Sequence, residues 1–230
     1  MKYDNYTEAV FLSRPNRFIA DVLLNGEKET VHVKNTGRCK ELLTENANVY
    51  LTRSSNPTRK TKYDLIAVEK HTDSGVVLIN MDSQIPNAVA YEWLPLSGLF
   101  SEKAIVRREV TYGKSRFDLY VEDSNRRAFI EVKGVTLENN GVASFPDAPT
   151  ERGVKHINEL VRCVDDGFEA YILFVIQMKG VSLFKPNDDT HRAFGDALRN
   201  ASEKGVKILA YDCCVTPSTI TINNSVNIEL

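Results

Sequence analysis

Cysteine is scarce in this chain and poorly spaced for chemistry. Cys39, Cys163, Cys213 and Cys214 supply neither a disulfide framework nor the clustered ligands of a zinc site. The adjacent pair Cys213 and Cys214 reads as two small side chains near a strand end rather than as a redox couple. Long apolar runs are also missing: no window nears the roughly 18 apolar residues that a bilayer span requires. The stretch "MKYDNYTEAVFLSRPNRF" has no basic start followed by an apolar run, so a cytoplasmic location is expected. There is no internal repeat and no low-complexity segment. Nor is there a large net charge: 29 Lys and Arg face 31 Asp and Glu, which excludes a protein that is basic all over. What is present, 42% hydrophobic and 26% charged residues in a chain of 230, suffices for real cores and favours two modest domains.

Charge is nevertheless uneven. Between residues 31 and 62 stand Lys34, Arg38, Lys40, Arg53, Arg59, Lys60 and Lys62, against only Glu41 and Glu45. A polyanion such as DNA could lie on that stretch, each phosphate contact adding salt-sensitive, sequence-independent affinity. The plainer alternative for "RSSNPTRKTKYD" is an exposed, soluble loop.

The first third reads as five short strands, "RFIADVLL", "ETVHVK", "NVYLTRS", "YDLIAVEK" and "VVLIN", punctuated by Asn25-Gly26 and Asn56-Pro57. Such a series fits a small closed barrel of the OB type, which often binds nucleic acid. After residue 85 the texture changes. Residues 87 to 103 look helical with a break at Pro95, followed by three strands with tight connections. An amphipathic helix then carries Val154, Ile157, Leu160, Val161 and Val164, with Thr150 as N-cap and Gly167 as stop. The wholly apolar "AYILFVIQ" reads as a strand covered on both faces. A helix over about 188–204 and the strand "VKILAY" complete the expected α/β fold. The resulting division is 1–85 and 86–230.

The hairpin "SRFDLYVEDSNRRAFIEVKG" carries the sharpest signal. A turn at Ser124-Asn125 sets Asp118 opposite Glu131 and Arg116 opposite Lys133, with Phe117–Val132, Leu119–Ile130 and Val121–Ala128 on the other, core face. Like charges directly opposite are destabilising unless a cation or a shifted pKa compensates. Two carboxylates and the backbone carbonyl of Val132 would give a divalent metal, Mg2+ or Mn2+, part of its oxygen shell. Lys133 would then orient water or stabilise charge developing on a phosphate. A solvated face with local ion pairs is the bland alternative.

Taken together, "NTG", "NPTRK", "EVKGVTL", "FPDAPTERGVKH" and "LFVIQ" resemble the sugar fermentation stimulation protein A family over nearly the whole chain. That resemblance implies an OB-like amino-terminal domain joined to a PD-(D/E)xK nuclease-like α/β domain with a mixed central sheet. It also implies DNA binding without sequence specificity and a proposed role in regulating sugar (maltose) metabolism. By position, Asp118 and Glu131 match the acidic metal ligands and Lys133 the motif's lysine, while Glu92 and Gln177 match auxiliary metal and catalytic positions more loosely. Gly134 stands where the family usually has asparagine, and Arg38-Cys39 replaces the common Ser-Met after "NTG".

The expected nucleic-acid contacts are Lys34, Arg38, Arg53, Arg59 and Lys60 on the barrel, Arg116 on the hairpin, and Arg152, Lys155 and His156 at the start of the amphipathic helix. Two functions compete: a Mg2+- or Mn2+-dependent nuclease, and a DNA-binding regulator that keeps the nuclease core as a scaffold. RNA is a third partner, and self-association is compatible with each.

Overall fold

The computed structural model describes residues 1–230 except Thr36, Arg38 and Ser74. The chain opens with strands β1 (Thr7–Asn16), β2 (Ile19–Leu24), β3 (Glu27–Val33), β4 (Asn48–Arg53), β5 (Tyr63–Thr72) and β6 (Gly75–Asn80). Antiparallel pairing runs β3-β2-β1-β4-β5, and a parallel pairing of β3 with β5 closes these five strands into an OB barrel. β6 extends the sheet from β5. The sequence strands therefore exist, but the barrel's first strand is β1, which the strand series omits, and "VVLIN" lies outside the closed ring. Alternation builds β1, with Ala9 and Phe11 buried and Glu8 and Ser13 exposed. Asn25 and Gly26 both take positive φ, 53° and 84°, as a two-residue hairpin turn demands.

Helix α1 (Ile85–Trp93) follows, with a proline in its first turn, and passes into a single 3-10 turn at Leu94–Leu96. The helix expected to reach residue 103 stops ten residues earlier, because Pro95 cannot donate the next helical bond. Strands β7 (Ile105–Tyr112), β8 (Ser115–Asp123) and β9 (Arg126–Val135) form the meander. Next come β10 (Glu138–Asn139), β11 (Val142–Phe145), α2 (Glu151–Asp165), β12 (Glu169–Ile176), β13 (Leu183–Pro186), α3 (Asp188–Glu203), β14 (Lys207–Thr216), β15 (Thr219–Ser225) and β16 (Asn227–Ile228). The central sheet has the order β15-β14-β12-β9-β8-β7 and is mixed, with β12 parallel to both β9 and β14. A second, small sheet, β10-β11-β13-β16, has no counterpart in the strands expected from the sequence.

The central sheet is covered on both faces. On one, Ile85, Val89 and Ala90 of α1 join Leu119, Ile130, Val132, Leu173 and Val175. On the other, Ile157 and Leu160 of α2 and Phe194 and Leu198 of α3 join Phe117, Phe129, Ile172 and Phe174. Thr150 caps α2 as expected, its hydroxyl accepting from the Gly153 amide at 3.0 Å. No described helix is long and apolar enough to cross a membrane.

Candidate functional site

The hairpin register holds for five pairs, Leu119–Ile130 through Asp123–Arg126, and then the ladder stops. Asp118 uses its side chain where the ladder would continue: Oδ2 accepts from the Val132 amide at 2.8 Å, while Oδ1 accepts from Nδ2 of Asn87 in α1 at 2.6 Å. On the other side of β8 the pairing with β7 also skips Asp118 and its opposite number Glu109. Glu109 there takes φ +56°, a left-handed conformation that costs a non-glycine residue on the order of 1 kcal/mol. This irregularity reverses the alternation. Phe117 packs on the α2 face whereas Val132 packs on the α1 face, so the expected Phe117–Val132 core pair does not form. Arg116 is exposed and lies 3.6 Å from Glu109; its expected alignment with Lys133 also fails.

Glu131 lies on the α2 side, 2% exposed. Its Oε1 accepts from Lys133 Nζ and from His156 Nδ1, each at 2.5 Å. Its Oε2 is buried with no hydrogen-bond partner. Burial works to raise the Glu131 pKa, but His156 and Lys133 outweigh it and hold the carboxyl below its ordinary range. Asp118 goes the other way, pushed up to about 6 by burial first and by the Glu131 charge second. The two carboxylates thus repel one another in a desolvated setting, with one oxygen left unsatisfied.

That orphaned oxygen is the observation that fits a cation. A carboxylate offers about four lone-pair sites, so Asp118, with one donor on each oxygen, also retains acceptor capacity. Among the described residues no three His, Cys, Asp or Glu side chains are grouped to hold a metal, so other ligands would be backbone, water or substrate.

Other expected residues are distributed differently. Glu92 is exposed and binds the terminal amine of Met1 at 2.6 Å; five residues beyond Asn87, it points about 140° around the helix from it. The α1 residue that reaches the site is Asn87, which no motif in the sequence marks. Gln177 sits at the level of Val135, where Nε2 donates to the Asn80 carbonyl, Asn80 Oδ1 and the Asp82 carbonyl at 3.0–3.1 Å. These bonds fasten barrel to sheet. A Cβ at Gly134 would lie 2.6 Å from both Gln177 Oε1 and Pro86 Cγ, so no side chain fits here without displacing them. The adjoining cavity of about 160 Å³ is lined by Asn35, Ser83, Gly134, Thr136, Asp147 and Gln177.

His156, expected on the polar face of α2, is buried against Glu131 and unavailable to a phosphate. The buried face is Gly153, His156, Ile157, Glu159, Leu160 and Cys163, turned from the expected one: Ile157 and Leu160 are shared, while Val154, Val161 and Val164 are only half-buried. Arg152 and Lys155 are exposed beside it, donating to His156 Nε2 at 3.4 Å and to the Lys114 carbonyl at 3.2 Å. On the barrel, Arg53 and Lys60 are exposed. Arg59 is spent on Asp64 at 2.7 Å, and Lys34 lies between Asp82 at 3.1 Å and Asp64 at 3.6 Å. With Lys2 and Arg53 they line an open groove of about 660 Å³. Arg38 lies outside the described residues.

Known proteins share both halves of this architecture. Residues 84–219 match the family model described as "Sugar fermentation stimulation protein RE domain", and residues 12–79 match "SfsA N-terminal OB domain". A sugar fermentation stimulation protein homolog of Clostridium beijerinckii is 53% identical over 230 residues, covering 100% of both chains. One from Desulfitobacterium hafniense strain Y51 is 56% identical, covering 100% of this chain and 99% of the relative. The structure of Pyrococcus furiosus SfsA in complex with Ca2+ aligns with a TM-score of 0.86 at 29% identity, covering 100% of this chain and 98% of that one.

Proposed function

The chain belongs to the sugar fermentation stimulation protein family, and on that premise we propose that it is a DNA-binding protein with a metal-dependent phosphodiesterase site at Asp118, Glu131 and Lys133. The observation that carries this reading is the buried, partnerless Oε2 of Glu131, on a carboxylate whose charge is felt by a second, half-buried carboxylate, Asp118. A desolvated pair of this kind costs stability in the absence of a cation and gains from one. That the Pyrococcus furiosus relative was solved in complex with Ca2+ supports a hard, oxygen-ligated divalent ion, and we infer Mg2+ or Mn2+ as the working metal. Asp118 and Glu131 Oε2 would hold it. Residues of one strand direct N–H and C=O to the same side, so the Val132 carbonyl faces the gap already occupied by the Asp118 carboxylate and completes the protein's share of ligands.

When bound, such an ion acidifies water and neutralises charge developing on a phosphate. The chain's own groups do the rest. Lys133 donates one proton of Nζ to Glu131 Oε1 and directs the others at a phosphate oxygen or the attacking water. Arg152 and Lys155, at the start of α2 on the same side, take flanking phosphates. We assign the barrel of residues 1–85 to holding the strand and residues 86–230 to the chemistry. An OB fold suits that role, with Arg53 and Lys60 free to reach phosphates where Arg59 and Lys34 are paired.

The test is incubation of the wild type, Asp118→Ala and Lys133→Ala with supercoiled, linear and single-stranded DNA and with RNA, in Mn2+, Mg2+ or EDTA. Cutting that needs metal and disappears in both variants is expected. Gel-shift binding without any cutting would leave the regulator reading in place of the nuclease.

A further inference from the structure

The hydrogen bonds around Glu131 form a directed chain. Arg152 is a donor only, so its Nε contact makes His156 Nε2 an acceptor. His156 Nδ1 must then carry the ring proton and donate it to Glu131 Oε1. Lys133 fills the remaining site on the same oxygen. Both donors converge on Oε1 and neither reaches Oε2, which stays buried without a partner. The ring itself cannot drift: it is 6% exposed and edge-on to Phe117, with centroids 6.2 Å apart.

We propose that His156 is a positioning residue: in its Nδ1–H tautomer, set by Arg152, it locks the Glu131 carboxylate so that Oε2 alone is presented to a divalent cation. This rests on the reading of Asp118 and Glu131 as a metal site and adds to it the group that orients one ligand. A rotatable carboxylate could turn either oxygen, or both, to the ion; holding Oε1 from two sides removes that freedom before the ion arrives. Outer partners that orient metal ligands typically cost about 10- to 100-fold in affinity when removed.

Two measurements on the full chain test it. Long-range proton–nitrogen NMR of the metal-free wild type reads the tautomer directly: Nδ1 protonated is expected, and a proton on Nε2 in place of Nδ1 overturns the proposal. Mn2+ titration by calorimetry reads the consequence. His156→Ala is expected to weaken Mn2+ by about 10-fold or more. His156→Asn, whose side-chain amide can occupy the place of Nδ1, is expected to return affinity to within about threefold of wild type. Far-ultraviolet circular dichroism confirms that each variant is folded, and Arg152→Gln, at an exposed position, supplies a variant that leaves the core intact; a shift of the NMR tautomer signal is expected for it. Equal Mn2+ affinity in His156→Ala and wild type, or no rescue by asparagine, contradicts the positioning role. If Asp118→Ala binds Mn2+ as well as wild type, the metal-site reading fails instead, and the two failures are told apart.

Discussion

Asp118 concentrates the energetics of the site in one side chain. Its carboxyl, at about 6 in the folded protein against an ordinary 3.8, binds its proton more tightly folded than unfolded. Such a group favours the folded state at low pH and loses that contribution as pH rises through about 4 to 6. Without metal, stability should therefore fall across that window, and Asp118→Asn should remove the fall. At about pH 8 the variant should be more stable by on the order of 1–3 kcal/mol, with little difference near pH 4. Urea melts at both pH values decide it; an equal offset at both would show that the charge is not the cause. Gly134 makes a second residue-scale case. Because three hydrogen bonds hold the Gln177 amide, its Oε1 cannot yield to a Cβ 2.6 Å away. Gly134→Ala should cost about 1–3 kcal/mol in the same melts. Alternation and a two-residue turn made Asp118, Glu131 and Lys133 legible as candidates in the sequence, although the ladder stops short of the Asp118–Glu131 pair that they predict. Asn87 was not: a helix 31 residues upstream supplies it, and no local pattern records that crossing. Nor was the burial of His156: the apolar face expected from Val154, Ile157, Leu160, Val161 and Val164 leaves it on the polar side, whereas the buried face is turned toward Gly153, His156 and Cys163.

Elements explain where legibility stopped. Alternation and turn chemistry recovered β2 to β5 and the meander, while β1 was obscured by its charged ends and Pro15. β13 and β16 are stabilised by partners more than 40 residues away, Val142 and Leu183 respectively, so neither has a local signature. The break at Asp118 was invisible for a different reason: the residue opposite, Glu109, adopts a conformation its side chain does not favour, and the strained stretch borders the proposed site. Helix α2 brings both His156 and Arg152 to that site, so its start should matter to metal binding as well as to stability. Thr150→Ala removes the cap on Gly153 and should cost about 1 kcal/mol, with Thr150→Ser or Thr150→Asp restoring most of it. On the barrel, Arg53→Glu with Lys60→Glu should weaken binding to all DNA sequences alike and lower the salt slope by roughly one for each phosphate no longer neutralised. Fluorescence titrations at several salt concentrations would show it. Unchanged affinity would remove the β4–β5 loop from the interface.

At the scale of the whole molecule, barrel and mixed central sheet are fastened across their junction. Lys70 of β5 reaches Glu138 at 2.6 Å, Asn80 donates its amide to the Gln177 carbonyl at 2.9 Å, and the Gln177 side chain returns to Asn80 and Asp82. A basic groove on one unit and a carboxylate pair on the other are thereby held in fixed relation, which a protein that grips a strand and acts on it requires. Gln177→Leu strips three acceptors of their donor in a buried setting and should cost about 2–3 kcal/mol. A calorimetric melt that separates into two transitions would report the units letting go, whereas an unchanged single transition would show the fastening to be unimportant. All of this turns on whether a cation enters between Asp118 and Glu131. The direct measurement is anomalous diffraction from crystals of the protein soaked in Mn2+: one peak is predicted, within bonding distance of Asp118 and of Glu131 Oε2, with Oε1 still held by His156 and Lys133. No peak there at saturating Mn2+, or a peak only elsewhere, would contradict the account.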